Sequence, residues 1–460
     1  MLDLIIRNGT IILPDSTLKA DIGIRGETIA RIGDPKIAES AKQEIDADGK
    51  LILPGLIDSH LHMAHPYKNQ TADDGVYTTS VSAAFGGNTT LIDFAIQWDK
   101  QLSMVETVKK RIAQLEADCV VDFALHATPT KSNQETIDSV ADLIPMGIPS
   151  YKVYMVYRSQ GRMVEDPVLV GLLEAMKANK GRLMVHAENA SISEYLQERF
   201  IEQGTTSALD FPRYKPNLVE EEAISRVILF NHATGSRLFV AHLSTKEGLQ
   251  RIREAQLGGD DVLTETCPQY LVFNEEVFSR PNGHRWICSP PIRSQADVDA
   301  LWQGLADGSI AMVTSDHCGF GKAQKDQGDG DFTKTPNGLP GVEARLPLLY
   351  THGVLKKRIT VNQMVGLLST NPAKVFGLYP QKGTILPGSD ADIVIMDPLW
   401  TQTISADSFH GNVDWSPFEG MELSGFARTT ILRGKALVHE GRLLGGQERG
   451  KFLKRKAVQD

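Results

Sequence analysis

The segment Leu51-Ile52-Leu53-Pro54-Gly55-Leu56-Ile57-Asp58-Ser59-His60-Leu61-His62 joins an apolar run to two histidines that are separated by one residue. A short apolar run of this kind is typical of a buried strand. Because alternate residues of a strand point to the same side, both imidazoles would face one point and could bind one metal ion. The chain has 12 histidines, so such a pair is weak support by itself. It gains weight if further candidate ligands follow other strands.

Strand-like and helical segments alternate through the centre of the chain. This order predicts a parallel β-barrel surrounded by helices. Residues 319–340 are rich in Gly, Lys and Asp and are expected to form a long loop, which is often functional at this length. The predicted strands are 89–94, 120–125, 151–154, 183–186, 238–243, 262–265 and 310–314, and the predicted helices are 104–117, 167–179, 220–234, 246–255 and 295–306.

Both ends of the chain have a different pattern, in which short alternating apolar runs are separated by turn residues. Residues 2–55 predict an antiparallel β module, and the same pattern returns after Pro380 in residues 391–396 and 429–434. We expect the two ends to build one β-sandwich. The predicted division is a sandwich part at residues 1–54, the barrel at residues 55–378 and a second sandwich part at residues 379–440.

The composition is that of a globular enzyme. The length of 460 residues suits a barrel of roughly 250 residues or more and a smaller module. A formal net charge of -9 argues against binding nucleic acid, and neither an export signal nor a membrane-spanning run is expected. Four widely spaced cysteines predict neither a disulfide framework nor a thiolate zinc site, which fits a reducing cytoplasm. These cysteines are Cys119, Cys267, Cys288 and Cys318.

Three more candidate ligands each follow an apolar, strand-like run. His186 ends Leu183-Met184-Val185, His242 follows 238–241, and Asp316 follows 310–315. The carboxyl ends of parallel barrel strands are where catalytic groups gather. Histidine and carboxylate ligands suit zinc and its first-row neighbours. Four histidines and one aspartate at successive strand ends therefore predict a metal site.

Lys152 lies inside the apolar strand-like run Ser150-Tyr151-Lys152-Val153-Tyr154. A buried lysine is unfavourable unless it is neutralised or paired. It could form an inter-strand ion pair, or its neutral amine could have reacted with carbon dioxide to give a carbamate whose two oxygens bridge two cations. The residues leave both interpretations open.

The chain resembles the dihydropyrimidinase and hydantoinase family of the amidohydrolase superfamily over essentially its full length. No single motif carries this resemblance, but the set is highly specific. Besides 54–62, the matching segments are Ala84-Phe85-Gly86-Gly87-Asn88-Thr89-Thr90, Val185-His186-Ala187-Glu188-Asn189, Glu265-Thr266-Cys267-Pro268-Gln269-Tyr270, Ser289-Pro290-Pro291, Ser315-Asp316-His317-Cys318, Pro336-Asn337-Gly338-Leu339-Pro340-Gly341 and Gly383-Thr384.

The resemblance implies a (β/α)8 barrel with a β-sandwich built from both chain ends, in agreement with the pattern above. It also implies two divalent metal ions, zinc first, with manganese or cobalt as alternatives. The first metal would be bound by His60, His62 and Asp316 and the second by His186 and His242. Lys152, carboxylated by carbon dioxide, would bridge both, which favours the carbamate.

The same resemblance implies a mechanism, in which two metals share a water and supply hydroxide that attacks a ring carbonyl. Asp316 would take the proton and return it to the departing ring nitrogen. Tyr157, in the loop after the Lys152 strand, would stabilise the oxyanion, although a plain surface tyrosine is the alternative. Ser289 and Asn337 would hold the substrate through main-chain groups, and both also suit ordinary turns.

The expected activity is hydrolytic ring opening of 5,6-dihydropyrimidines or 5-substituted hydantoins to N-carbamoyl amino acids. Dihydroorotase and allantoinase are competing interpretations, but these relatives carry an arginine soon after the second histidine, where this chain has Met63-Ala64-His65-Pro66. A non-catalytic scaffold of the collapsin-response-mediator kind is disfavoured because every expected ligand position holds a competent residue. Met63, His65 and Tyr67 could line the pocket for the ring substituent.

The last residues add an expectation about assembly. Residues 450–455, within a C-terminal extension at 441–460, are similar to a family segment that often packs on a neighbouring subunit. We therefore expect a homotetramer or dimer.

Overall fold

The strands of the barrel lie side by side in chain order. The computed structural model describes residues 1–33, 37–68, 70–444 and 449–457, and within these ranges eight strands form one sheet in which every neighbouring pair is parallel. This confirms the predicted parallel barrel. The strands are Leu56–Leu61, Asn88–Ile96, Asp122–Thr128, Ser150–Tyr154, Arg182–His186, Arg237–Val240, Asp261–Thr266 and Met312–Val313.

The first and eighth strands meet just beyond their carboxyl ends. Leu61 forms a parallel bridge with His317, the His62 amide donates to the His317 carbonyl at 2.8 Å, and the Asp316 amide donates to the His60 carbonyl at 2.8 Å. The sheet therefore closes into a barrel. The eighth strand is shorter than the predicted 310–314. Met312 and Val313 pair with the seventh strand, and from Asp316 onwards the backbone bonds to the first strand instead.

Helices follow the strands and cover the barrel. Met104–Asp118 begins where the Ser103 hydroxyl accepts from the Glu106 amide, and the Glu106 carboxylate accepts from the Ser103 amide in return. No helix in the described part of the chain has the length and apolar character needed to cross a membrane. The other helices of eight residues or more in the described ranges are Val76–Phe85, Gln134–Leu143, Asp166–Ala178, Ala190–Glu202, Asn217–Thr234, Lys246–Leu257 and Gln295–Asp307.

Shorter helical segments occur mainly after the seventh and eighth strands. The expected loop at 319–340 contains the helix Lys322–Lys325 and two 3-10 turns, and otherwise has irregular structure. The remaining short α-helices are Phe211–Tyr214, Pro268–Val272, Arg345–Leu349, Val361–Val365 and Asn371–Val375, with π-helical turns at Tyr350–Leu355 and Gly366–Thr370.

Two sheets built from the chain ends form the predicted sandwich. One has the strand order Thr28–Gly33, Asp21–Arg25, Leu2–Arg7 and Ala41–Asp46. The other combines both ends, in the order Arg442–Leu443, Lys435–His439, Glu422–Leu432, Ile393–Thr403, Leu51–Pro54, Thr10–Ile12 and Thr17–Lys19. Isoleucines from both sheets, including Ile6, Ile24, Ile52, Ile393 and Ile431, pack into one buried core.

The antiparallel pairing predicted for residues 2–55 is confirmed for three strand pairs, but two further pairs are parallel. Leu2–Arg7 pairs parallel with Ala41–Asp46, and Thr10–Ile12 pairs parallel with Leu51–Pro54. In both cases a hairpin intervenes between the partners, so the chain returns in its original direction. The domain boundaries at residues 54, 378 and 440 stay predictions.

Within the C-terminal extension, residues 449–457 pack on the barrel of the same chain, whereas Arg442–Leu443 belongs to the sandwich. Gly450 donates to the Cys119 carbonyl at 2.8 Å, and Leu453 donates to the Phe123 carbonyl at 2.7 Å. The buried guanidinium of Arg455 donates to the Leu125 carbonyl and to the Ser150 hydroxyl. Residues 445–448 and 458–460 lie outside the described residues, and the contact of 441–460 with a neighbouring subunit stays a prediction.

A buried ion cluster joins the barrel to the sandwich. Lys382 Nζ lies 2.6 Å from Asp122 at the start of the third barrel strand, 2.7 Å from Asp392 just before a sandwich strand, and 2.9 Å from Asp390. Arg433 of the sandwich contacts the other oxygen of Asp122. Burial would lower the pKa of Lys382, but the three carboxylates raise it above its usual value, so the ammonium stays charged.

Replacing Lys382 by methionine should lower the free energy of unfolding by about 3–5 kcal/mol, because buried carboxylates would lose their cation. Urea unfolding followed by circular dichroism measures this change. Lys374→Met, at an exposed lysine in the same region, should change stability by no more than about 0.5 kcal/mol. Equal effects of the two substitutions would show that the cluster does not hold the two parts together.

Candidate metal centre

One cavity at the carboxyl ends of the barrel strands collects every predicted ligand, catalytic residue and substrate-contacting residue. Its volume is about 80 Å³. Of the three residues expected around the ring substituent, His65 and Tyr67 line this cavity, and Met63 lines a neighbouring cavity. The residues come from strands and loops that are far apart along the chain, so the barrel itself brings them together. The predicted residues that line the cavity are His60, His62, Lys152, Tyr157, His186, His242, Ser289, Asp316 and Asn337.

The first group of candidate ligands is His60, His62 and Asp316. The Asp316 Oδ1 lies 3.2 Å from His60 Nε2 and 3.3 Å from His62 Nε2, and their ligand atoms all lie within 4.8 Å of one another. Two ligands of a tetrahedral zinc ion at 2.0–2.1 Å are about 3.3 Å apart. Burial would raise the pKa of Asp316, but His60 and His62 hold it well below its usual value, so the carboxylate is ionised. The group fits one divalent ion.

The second group is His186 and His242. His186 Nδ1 lies 2.9 Å from His242 Nε2, so these two ring nitrogens converge like ligands of one ion. Burial lowers the pKa of His186 to about 4 and the pKa of His242 well below its usual value. Both imidazoles are therefore neutral near pH 7, the form that binds a metal.

Lys152 reaches the same cavity from the fourth barrel strand. Its side chain is 1% exposed, and its Nζ has no hydrogen-bond partner in the described residues. Its neighbours include the ring of Phe94, whose centroid is 5.4 Å from Nζ. Burial lowers the pKa of Lys152 to about 8. Because the described residues place no ion-pair partner beside it, the inter-strand ion pair finds no support, and the neutral amine needed for a carbamate is accessible.

Three candidate site residues have left-handed backbone conformations that side chains rarely adopt. The φ angles are 66° at Tyr157, 36° at His242 and 47° at Asp316. Such conformations are costly and cluster at functional sites, where surrounding structure holds them in place. At Asp316 the main-chain bonds that close the barrel supply this support.

Tyr157 lies beside the second ligand group. Its ring centroid is 5.4 Å from that of His186, and its side chain is partly buried. Burial and the negative charge of Glu188 raise the pKa of Tyr157 above its usual value. The phenol therefore keeps its proton and can donate a hydrogen bond into the cavity.

Ser289 and Asn337 lie on two loops that one buried lysine connects. The ammonium of Lys325 donates to the carbonyls of Ile287 and Pro336 at 2.7 Å and of Gly338 at 3.0 Å. Each loop is therefore fixed next to the cavity, one close to Ser289 and the other on both sides of Asn337. This arrangement suits recognition by main-chain groups, because it sets the loop geometry.

Three further residues of the site, Glu265, Glu188 and Lys215, were not predicted from the sequence. Glu265, at the end of the seventh strand, contacts His60 Nδ1, and Glu188 Oε2 lies 2.7 Å from His186 Nε2. Carboxylates in these positions orient a ligating imidazole. Lys215 Nζ lies 2.7 Å from Glu188 and donates to the Ser289 hydroxyl at 2.5 Å. Two features of the sequence could have identified these partners. Glu188 follows His186 by two residues, and Glu265 lies at the end of the predicted strand 262–265.

His317 lies outside the ligand groups. Its Nε2 is 3.3 Å from Asp74, on the side away from the cavity, and its Nδ1 accepts from the Gly341 amide at 3.2 Å. It stabilises the loop that follows the eighth strand.

Comparison with known proteins gives one consistent family. The sequence model of the amidohydrolase family matches residues 51–437. The chain is 38% identical to a D-hydantoinase of Ralstonia pickettii and 37% identical to a D-hydantoinase of Rhizobium radiobacter, each over 99% of both chains. The crystal structure of a dihydropyrimidinase from Brevibacillus agri NCHU1002 superposes with a TM-score of 0.96 at 36% identity and covers 100% of both chains. The chain therefore belongs to the amidohydrolase family and, within it, to the dihydropyrimidinase and hydantoinase family.

Proposed function

We propose that this protein hydrolyses cyclic amides, opening 5,6-dihydropyrimidines, 5-substituted hydantoins or both to N-carbamoyl amino acids. The observation that carries the proposal is the convergence of two ligand groups and an unpartnered lysine amine in one cavity. The named relatives, D-hydantoinases and a dihydropyrimidinase, support the same class of reaction. The protein is accordingly a hydrolase of carbon-nitrogen bonds in cyclic amides.

We propose a binuclear metal centre in this cavity. His60, His62 and Asp316 would bind one divalent ion and His186 and His242 the other. Lys152, carboxylated by carbon dioxide, would bridge them through its two carbamate oxygens. The separations of 3.2, 3.3 and 2.9 Å between ligand atoms support both ions. Zinc suits this mixture of donors, and manganese or cobalt could replace it.

The protein's own residues would carry the proton and stabilise the developing charge. Two divalent ions, when bound, would activate a water molecule and polarise the ring carbonyl. Asp316, ionised at neutral pH, would take a proton from the attacking water and return it to the ring nitrogen as the carbon-nitrogen bond breaks. The Tyr157 hydroxyl would donate to the carbonyl oxygen as it becomes negative.

The loops of Ser289 and Asn337 would orient the ring. Because Glu188 and Lys215 already occupy the Ser289 hydroxyl, this residue would hold the substrate through its main chain. Lys325 fixes both loops, so the two main-chain contacts would keep a constant separation. A rigid ring with N-H and C=O groups along one edge fits such a pair of contacts.

We also propose a cytoplasmic homotetramer or dimer. All four cysteines are free and buried, which fits a reducing compartment. Large apolar side chains are exposed on the surface, including Leu257 at 89% and Leu399 at 86%. Exposed apolar groups of this size are available for contacts between subunits.

The function is tested by measuring ring opening of dihydrouracil, hydantoin and a 5-aryl hydantoin on one preparation, together with its metal content and its mass by light scattering. We expect turnover with about two metal ions per chain and a mass of two or four chains. Two bound metals without turnover would point to another cyclic amide. A metal-free, inactive protein would contradict the enzyme, and a monomeric mass would contradict the assembly.

Lys152→Ala should abolish most activity and lower the metal content, because the bridge between the two ligand groups would be lost. A short carboxylic acid should restore part of both by supplying two oxygens in place of the carbamate. Lys177→Ala, at an exposed lysine on a barrel helix, is the control and should keep two metals. Undiminished turnover of Lys152→Ala without any additive would refute the carbamate.

Tyr157→Phe should lower kcat by about 100-fold or more, because the donor to the oxyanion is removed while the ring stays. Tyr67→Phe is a matched control, since Tyr67 lines the same cavity but its hydroxyl donates to the Lys334 carbonyl at 3.3 Å. Steady-state kinetics at saturating substrate measure both. An unchanged kcat for Tyr157→Phe would make this residue part of the cavity wall only.

A further inference from the structure

Arg162 lies at the mouth of the candidate site, in the loop that also carries Tyr157. It lines the same cavity as the two ligand groups and is partly buried. Its guanidinium carbon lies 4.4 Å from the centroid of Trp98 and 5.6 Å from the centroid of Tyr157. The side chain is therefore held against Trp98 and close to the residue proposed to contact the ring carbonyl.

No acidic side chain in the described ranges neutralises Arg162 through an ion pair or a hydrogen bond. The other arginine of this loop, Arg158, pairs with Glu194 at 3.0 Å. The carboxylate of Asp99, the residue after Trp98, accepts from the Gln101 amide at 2.9 Å. The guanidinium thus leaves a positive charge uncompensated beside the cavity.

Apart from Arg162 and the histidines, the charged side chains that line the cavity are Asp316 and Lys152. Among its lining residues, Asp316 is the one carboxylate, and it faces His60 and His62. Lys152 would lose its positive charge as a carbamate. Arg162 would then be the one permanently charged cation of the cavity wall, because a guanidinium does not lose its proton in a protein.

Space for a ring substituent lies on the same side. A second cavity of about 670 Å³ shares His62 and His65 with the candidate site and is lined in part by Trp98. The ring centroids of His65 and Trp98 are 5.3 Å apart. Arg162 lines the first cavity and Trp98 the second, and the two side chains are in contact where the cavities adjoin.

We propose that Arg162 binds a carboxylate on the substituent of the substrate ring, so that the preferred substrates are cyclic amides with an acidic side chain, such as hydantoins carrying a carboxymethyl or carboxyethyl group. This inference rests on the proposed function. The Trp98 ring holds the guanidinium by a cation–π contact. No hydrogen-bond acceptor in the described residues takes the N-H groups of the guanidinium, so they would be available for a bidentate contact with a carboxylate.

The test compares hydantoin, 5-(2-carboxyethyl)hydantoin and the corresponding carboxamide, which has the same shape without the charge. In the unmodified holoenzyme, kcat/KM for the acid should exceed that for the amide by about 10-fold or more, since a charge-assisted contact is made by the acid alone. A ratio near one, with ring opening of hydantoin, would overturn the role of Arg162 and leave the proposed function intact.

Variants test whether Arg162 causes the preference for the acid over the amide. The ratio for acid over amide, taken within each variant, should fall to about one in Arg162→Gln and be partly restored in Arg162→Lys, which keeps the charge but not the planar fork. Arg158→Gln is the matched control from the same loop and should keep the ratio of the unmodified enzyme. A ratio unchanged in Arg162→Gln would overturn the proposal.

Binding provides a readout that does not depend on turnover. Calorimetric titration of N-carbamoylglutamate, the ring-opened product that keeps the side-chain carboxylate, should show affinity at least about 10-fold weaker for Arg162→Gln than for the unmodified enzyme. Equal affinities would overturn the proposal. If none of the three rings is opened, the proposed function has failed, and this titration still decides whether Arg162 binds the carboxylate.

Discussion

The closure of the barrel between its first and eighth strands is the constraint on which the candidate site depends. Main-chain bonds join His60 to Asp316 and His62 to His317, residues from opposite ends of the barrel sequence. The same bonds bring the ligand atoms of His60, His62 and Asp316 within 4.8 Å of one another. Because the contact is made by the backbone, the geometry of the first metal group is set by the fold before any ion binds.

Neutrality of the imidazoles is the second requirement, and burial favours it by lowering the pKa of His62, His186 and His242. A histidine that stayed protonated could not offer a lone pair to a cation. Glu188 would favour protonation of His186, yet burial outweighs it and lowers the pKa of that residue to about 4. The carboxylate still contacts Nε2, which leaves Nδ1 to face His242. Glu188 thus orients the ring without taking it out of the ligating form.

The sequence predicted the barrel, the shared sandwich and the residues that meet in the cavity. Several strand-like runs ended at a candidate ligand, whereas Tyr157, Ser289 and Asn337 were assigned through the family resemblance. His186 and Asp316 are examples in which the local pattern determines the position. Contacts between distant loops could not be predicted in this way. In the sequence Lys325 is one of several charged residues in a polar loop. Its hydrogen bonds to the carbonyls of Ile287 and Pro336 depend on three-dimensional packing alone. The parallel pairing of Leu2–Arg7 with Ala41–Asp46 and of Thr10–Ile12 with Leu51–Pro54 likewise depends on the path of the chain between the partners.

The arrangement separates the chemistry from the choice of substrate. The candidate ligands stand on strand ends that the barrel holds in place, whereas Arg162 and Trp98 come from two different loops at the mouth of the cavity. Loops tolerate substitution better than the strands of a closed sheet. A change at position 162 therefore alters the charge offered to a ring substituent without moving a ligand of either proposed ion. The backbone of Tyr157 connects the two regions, since its left-handed conformation starts the loop that carries Arg162 back towards the cavity. The proposed oxyanion donor and the proposed carboxylate site are consequently fixed relative to each other, so a substituent of suitable length would help to position the ring carbonyl for attack.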